Sequence, residues 1–155
     1  MKGGIKMKVS ECMCTNVTCV KPEDSLNHVA KTMESNHIGC VPVCDTNNNL
    51  CGILTDRDIV LRGVACDKNM NTTKVSDIMT TKICTCKSDD EITNAQSQMA
   101  FNQIRRLPVC DDNNHIVGIL TIGNIANNNT QIGKTQVSTM LGNICNCDGN
   151  PKNAE

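Results

Sequence analysis

The chain has 155 residues and a mass of 16.8 kDa, room for one domain or for two small units sharing a core. Fifteen Lys and Arg stand against sixteen Asp and Glu, a net charge of −1, so no global field draws in nucleic acid or an anionic membrane. Hydrophobic residues make up 39%, too many for a wholly disordered chain, and one Phe with no Trp or Tyr argues against aromatic platforms for single strands or sugars.

The basic start, Met1-Lys2-Gly3-Gly4-Ile5-Lys6-Met7-Lys8, has no apolar run behind it and does not read as a secretory signal. No stretch approaches the ~20 apolar residues of a membrane span. The expected location is the cytoplasm.

Val9-Ser10-Glu11-Cys12-Met13 opens the patterned part of the chain, and a short strand is predicted over 17–20. After an acidic turn, Leu26, Val29, Ala30 and Met33 fall at helical spacing and predict a helix over 25–35. A strand over 40–44 runs into Asp45-Thr46-Asn47-Asn48-Asn49, whose side chains supply turn chemistry. A third strand covers 50–54, and a second helix starts after Thr55. Residues 63–74 read as a polar connector.

Shifted by 66 residues, the pattern recurs. Val75-Ser76-Asp77-Ile78-Met79 repeats the opening, Ile104 to Asp111 repeats Ile38 to Asp45, and Gly118-Ile119-Leu120-Thr121 repeats Gly52-Ile53-Leu54-Thr55. About twenty of roughly fifty aligned positions are identical, with no gap. The second copy predicts strands over 83–86, 106–110 and 116–120, and a helix carrying Ile92, Ala95 and Met99. Each copy is β-α-β-β-α, an α/β (α+β) pattern. One copy leaves about half of its sheet face bare, and two related copies packed with pseudo-two-fold symmetry cover each other. The expected organisation is repeat one over 9–62, the connector, repeat two over 75–127, and a polar loop, short docking helix and frayed tail over 128–155. Val137, Met140, Leu141 and Ile144 suggest that helix.

Twelve cysteines include three Cys-x-Cys pairs: Cys12/Cys14, Cys84/Cys86 and Cys145/Cys147. The repeat weighs against metal chemistry. Cys12 aligns with Ile78, Cys14 with Thr80, Cys19 with Thr85, Cys84 with Thr18, Cys86 with Val20 and Cys51 with Val117. Cysteine is exchanging with small strand formers, as a compact apolar residue does. Only Cys44 and Cys110 coincide. No Cys-x-x-Cys occurs, and His28, His37 and His115 stand alone as surface or turn residues, so no metal site is expected. No Ser-His-Asp set, phosphate loop or paired-carboxylate cleft stands out, so no catalysis is expected.

The opening Val75 to Thr80, the strand Ile104-Arg105-Arg106-Leu107-Pro108-Val109, and Gly52-Ile53-Leu54-Thr55-Asp56-Arg57-Asp58-Ile59-Val60 together resemble a tandem CBS-domain pair over residues 9–126. The resemblance is to small stand-alone pairs. It implies a non-catalytic module that binds an adenosine-containing ligand (AMP, ADP, ATP or S-adenosylmethionine) between the repeats. It also implies a homodimer and an effector protein that the sequence does not name.

Thr55 and Asp58 are the residues that the resemblance assigns to ribose. A carboxylate can accept both hydroxyls of a cis-diol, and Thr adds a hydroxyl beside it. Locally the same two residues spell a helix capping box, and the two roles are compatible. Copy two carries Thr121 and Asn124, and Asn has one acceptor oxygen and no charge. Strand alternation sends one of Arg105 and Arg106 inward, where a phosphate would be a bidentate partner. Arg57 is a further nearby cation.

In the family the Asp of one repeat faces the first strands of the other. That grouping implies a primary site of Thr55, Arg57, Asp58, Thr81, Ile83, Cys84, Arg105 and Arg106. The weaker second site would comprise Val17, Thr18, Gly39, Cys40, Thr121 and Asn124. Two other readings stand beside this one: a cysteine-based metal- or redox-responsive protein, and a structural dimerisation unit with empty pockets.

Overall fold

In the computed structural model, which describes residues 6–128, 138, 139, 141 and 142, the apolar stripe after Ser25 forms helix α1 (Leu26–Asn36). The Ser25 hydroxyl accepts from the His28 N–H, satisfying one of the orphan donors of the first turn. His37 then adopts a left-handed conformation and returns its N–H to the last turn, ending the helix. Leu26, Val29 and Met33 are the buried face.

Strand β1 (Cys40–Cys44) is buried along its length and pairs antiparallel with β2 (Leu50–Thr55), where inward and outward residues alternate. The Asp45 carboxylate closes their turn by accepting from the Asn47 and Asn49 backbone N–H groups. Helix α2 (Asp56–Asp58) follows β2 directly and continues as a π-helical turn over Ile59–Gly63 and a tight turn over Val64–Cys66. The rest of the connector folds back on α1, whose Leu26 and Asn27 amides donate to the Thr73 and Met70 carbonyls.

The second copy repeats this plan. Helix α3 (Ile92–Asn102) buries Ile92, Ala95 and Met99, strands β3 (Arg106–Cys110) and β4 (Ile116–Thr121) pair antiparallel, and helix α4 (Ile122–Asn127) follows β4. The two hairpin turns meet at Asn49 and His115, where the Leu50 N–H donates to the Asn114 carbonyl and the Asn114 amide donates to the Leu50 carbonyl. A small apolar cluster sits at this junction: Cys44, Leu50, Cys110 and Ile116, with Val17, Cys19 and Ile83 packed on it. Residues 138, 139, 141 and 142 are helical, and Leu141 packs on the core of the second repeat. Val137, Met140, Ile144, Cys145, Cys147 and the tail fall outside the described residues.

The strands predicted over 17–20 and 83–86 shrink to one bridging residue each. Val20 pairs in parallel with Val43, and Cys86 with Val109. The residues ahead of them turn instead toward the junction cluster, where Val17, Cys19 and Ile83 are covered.

The two opening segments cross over between the repeats. Met7, Val9 and Cys12 lie in the core of the second repeat with Cys86, Ile92, Met99, Leu107 and Leu120. Val75 and Ile78 lie in the core of the first, with Leu26, Val29, Val41 and Leu54. The crossing is fixed by main-chain bonds. Cys14 exchanges both hydrogen bonds with Ile119, and Thr80 exchanges both with Ile53, at 2.9 Å each.

Gly52 and Gly118 permit this. A Cβ at Gly118 would lie 2.6 Å from the Met13 sulfur and 3.1 Å from the Cys14 carbonyl, and one at Gly52 would lie 2.4 Å from the Met79 sulfur. Gly118→Val is therefore expected to push the first segment off the second sheet and to destabilise by about 1–3 kcal/mol, the usual range for overpacking. Thermal denaturation followed by circular dichroism measures it, and an unchanged midpoint would contradict this packing.

Candidate functional site

The end of β2 and the start of α2 create the first candidate position. The Thr55 hydroxyl accepts from the Asp58 N–H at 3.1 Å. In return, Asp58 Oδ2 accepts from the Thr55 N–H and from the Thr55 hydroxyl, both at 2.9 Å. The capping box is thus complete and uses only one carboxylate oxygen. The other, Oδ1, lies 3.8 Å from Arg62 Nε, and the Asp58 side chain keeps 16% of its surface exposed, enough to be reached from solvent.

Thr121 and Asn124 reproduce the geometry. Asn124 Oδ1 accepts from the Thr121 N–H at 3.0 Å and from its hydroxyl at 2.9 Å. The difference is what remains. Asp58 has an oxygen left over, which accepts. Asn124 has its NH2 group left over, which only donates.

The register of each hairpin decides which strand start lies beside which motif. Cys40 pairs with Thr55, and Arg106 pairs with Thr121. The Gly39 carbonyl accepts from the Asp56 N–H, and the Arg105 carbonyl accepts from the Ile122 N–H. Within each hairpin, Gly39 and Cys40 therefore flank the first motif, and Arg105 and Arg106 flank the second. An antiparallel hairpin necessarily brings the start of one strand to the end of the next.

Two electrostatic facts nevertheless connect the halves. Burial pushes the Cys40 thiol up to about 11, and the charges it feels besides are those of Arg106, Asp58 and Asp56, with Arg106 the strongest. Arg106 thus acts on Cys40 across the repeats. The Arg62 guanidinium donates to the Ile78 carbonyl at 3.0 Å and to the Thr80 hydroxyl at 3.1 Å, while pairing with Asp58. Arg62 thus ties the carboxylate of repeat one to the opening segment of repeat two. Nothing singled it out in the sequence, although its place four residues after Asp58 on a helical stretch is a signal of such a pair.

The remaining residues divide. Neither Arg105 nor Arg106 turns inward; both are exposed, because β3 begins only at Arg106 and the chain ahead of it lies at the surface. Arg57 is exposed, its N–H donating to the Asp56 carboxylate. Thr81 is exposed, one residue past the Thr80–Ile53 bridge. Cys84 packs on the second core, whereas Ile83 and Val17, expected in different sites, meet in the junction cluster. Thr18 is half-buried between Val17 and Cys19. Gly39 is constrained by its neighbour, since a Cβ there would lie 2.8 Å from the Asp56 carboxylate oxygen.

The described cysteines are all free thiols. Cys84 and Cys86 both turn toward the second core. Cys12 and Cys14 do not share a face, because a tight helical turn precedes Cys12: Cys12 is buried, with its thiol donating to the Met7 sulfur, and Cys14 is exposed. Among the described residues no three His, Cys, Asp or Glu side chains converge as a metal site would require, and no helix is long and apolar enough to cross a membrane.

The CBS-domain profile matches the chain twice, over residues 9–64 and 75–128. The chain is 36% identical over 136 residues to the CBS domain-containing protein YhcV of Bacillus subtilis, spanning 88% of this chain and 94% of that protein. Its fold is similar to the CBS domain pair of protein MJ0100 in complex with 5′-methylthioadenosine and S-adenosyl-L-methionine (TM-score 0.71, 26% identity, 78% of this chain and 98% of that one). It is also similar to CBSX2 in complex with AMP (TM-score 0.71, 26% identity, 82% and 98%).

Proposed function

The chain belongs to the CBS-domain family, and on that premise we propose that it is a non-catalytic regulatory module holding one adenosine-containing ligand at the Thr55–Asp58 end of its first repeat. The observation that carries the reading is the outward oxygen of Asp58. With Oδ2 consumed by Thr55, Oδ1 is the acceptor left for a ribose cis-diol. Its present neighbour, Arg62, is a cation at 3.8 Å that a bound sugar would share or displace. Arg106 supplies positive charge on the same side, as Cys40 registers, and suits a phosphate or another anionic tail. With no Trp or Tyr in the chain, the base is held by aliphatic side chains and main-chain groups. The AMP and S-adenosylmethionine complexes of similar pairs support the ligand class.

Ligand binding would act by linkage, favouring whichever arrangement of the halves holds it better. Exposed Val60, Leu61 and Val64 follow Asp58 on the same helical stretch and support self-association as a homodimer. The same proposal has the module act in the cytoplasm, its ligand state read by an effector protein. Isothermal titration calorimetry with AMP, ATP and S-adenosylmethionine tests the reading. About one strong site per chain is expected for at least one of them. Two equivalent strong sites per chain, or no heat with any of the three, would overturn it.

A further inference from the structure

Three main-chain facts put Cys19 and Cys44 on the same face of one parallel pairing. Val20 pairs in parallel with Val43, the Val20 N–H donates to the Pro42 carbonyl at 3.0 Å, and the Cys44 N–H donates to the Val20 carbonyl at 2.9 Å. Both residues therefore present their side chains to the junction cluster, where Cys44 is buried and Cys19 is half-buried. The two thiols are close enough to shift each other, Cys19 down and Cys44 up. The other thiols nearby are differently engaged. Cys51 donates to the Val43 carbonyl at 3.2 Å, and Cys110 is buried in the same cluster, where the repeat carries Thr85 in place of Cys19.

We propose that Cys19 and Cys44 are a reversible dithiol–disulfide pair, a peroxide-sensitive modification site at the junction of the two hairpins. The roles follow from access and from that mutual effect. Cys19 is the sulfur that solvent reaches. The Cys44 thiol draws the Cys19 thiol below its ordinary value, toward thiolate, and the same interaction together with burial holds the proton on Cys44. A peroxide, ROOH, is the oxidant. The Cys19 thiolate attacks its O–O bond, giving Cys19–SOH and RO⁻, with two electrons passing from sulfur to the leaving oxygen. The Cys44 sulfur then attacks the sulfenic sulfur. The S–S bond forms, the S–O bond breaks, and the hydroxyl leaves with the Cys44 proton as water. A small dithiol reductant reverses the step by thiol–disulfide exchange.

The link would staple the segment ahead of Val20 to the end of β1, beside the contact between Leu50 and Asn114 that joins the repeats. The inference is independent of nucleotide binding at Asp58. It asks only that the pair oxidise as a unit.

The test uses the full chain, reduced, then exposed to an equimolar amount of hydrogen peroxide and alkylated with N-ethylmaleimide. Peptides are mapped by tandem mass spectrometry without reduction. The expected product is a Cys19–Cys44 disulfide formed ahead of any other and lost on treatment with dithiothreitol. Cys19→Ser is expected to abolish it and leave Cys44 alkylatable only after unfolding. Cys44→Ala is expected to let Cys19 proceed to the sulfinic acid. Because Cys44 is buried, Cys19→Ser at the half-exposed position carries the test should the Ala variant misfold. A dominant link from Cys44 to Cys110, links among Cys14 and Cys66 with Cys19 still reduced, or an unchanged total disulfide yield in Cys19→Ser would each overturn the proposal.

Discussion

Asp58→Asn is expected to weaken adenosine-ligand binding by about 10–100-fold while leaving the fold intact, the cost of losing one charge-assisted acceptor being about 1.5–3 kcal/mol. The second repeat already contains the control. Asn124 completes its capping box with the same bonds and nearly the same distances as Asp58, so Asn at position 58 retains both bonds from Thr55. What changes is the outward atom, an acceptor replaced by a donor. Asp58→Ala removes both functions, and adds about 1 kcal/mol of lost capping to the lost ligand contact. Comparing the two variants by calorimetry and by thermal denaturation separates the roles. Wild-type affinity in Asp58→Asn would show that the carboxylate is structural only. The reciprocal change, Asn124→Asp, supplies the second repeat with the missing oxygen and should raise its affinity for the same ligand.

Val9→Asp is expected to unfold the second repeat, although Val9 precedes every element of the first. Val9 is fully buried among Cys86, Ile92, Leu107 and Leu120. A carboxylate there would lose its hydration, with no buried polar or charged residue among those described to meet it. The penalty is several kcal/mol, on the order of the whole stability of a small domain at ~5–15 kcal/mol. Native-state hydrogen exchange reads the direction of the effect. Amides of β3 and β4 should lose protection first in Val9→Asp, and amides of β1 and β2 first in Val75→Asp, since Val75 closes the other core. Loss of protection in the reverse order would contradict the crossed arrangement.

The parts of this fold that local chemistry determines could be read from the residues alone. The helical spacing of Leu26, Val29 and Met33, the turn residues after Cys44 and Cys110, and the Thr-x-x-Asp and Thr-x-x-Asn caps each act within a few residues of chain. What could not be read depends on distant partners. Val9 and Val75 have the same neighbours in sequence, and nothing in those neighbours says that each covers the other repeat. The segments over 17–20 and 83–86 have strand-like composition, yet only Val20 and Cys86 find a ladder, because their predecessors are drawn into the junction. Arg106 pairs within its own hairpin and also acts on Cys40 in the other, so assignment to either site alone misplaces it. Arg62 has no counterpart cation in the second copy, where Asn128 stands, and so left no trace in the repeat.

The exchanged opening segments also bear on where such a chain comes from. A gene for a single copy would encode an arm that, in this arrangement, reaches someone else's hairpin and not its own. Two such chains would clasp arms and bury the same surfaces seen here. Fusing the genes head to tail would then require no new interface, only a tether. It would free the two copies to diverge, as Asp58 in one and Asn124 in the other have done.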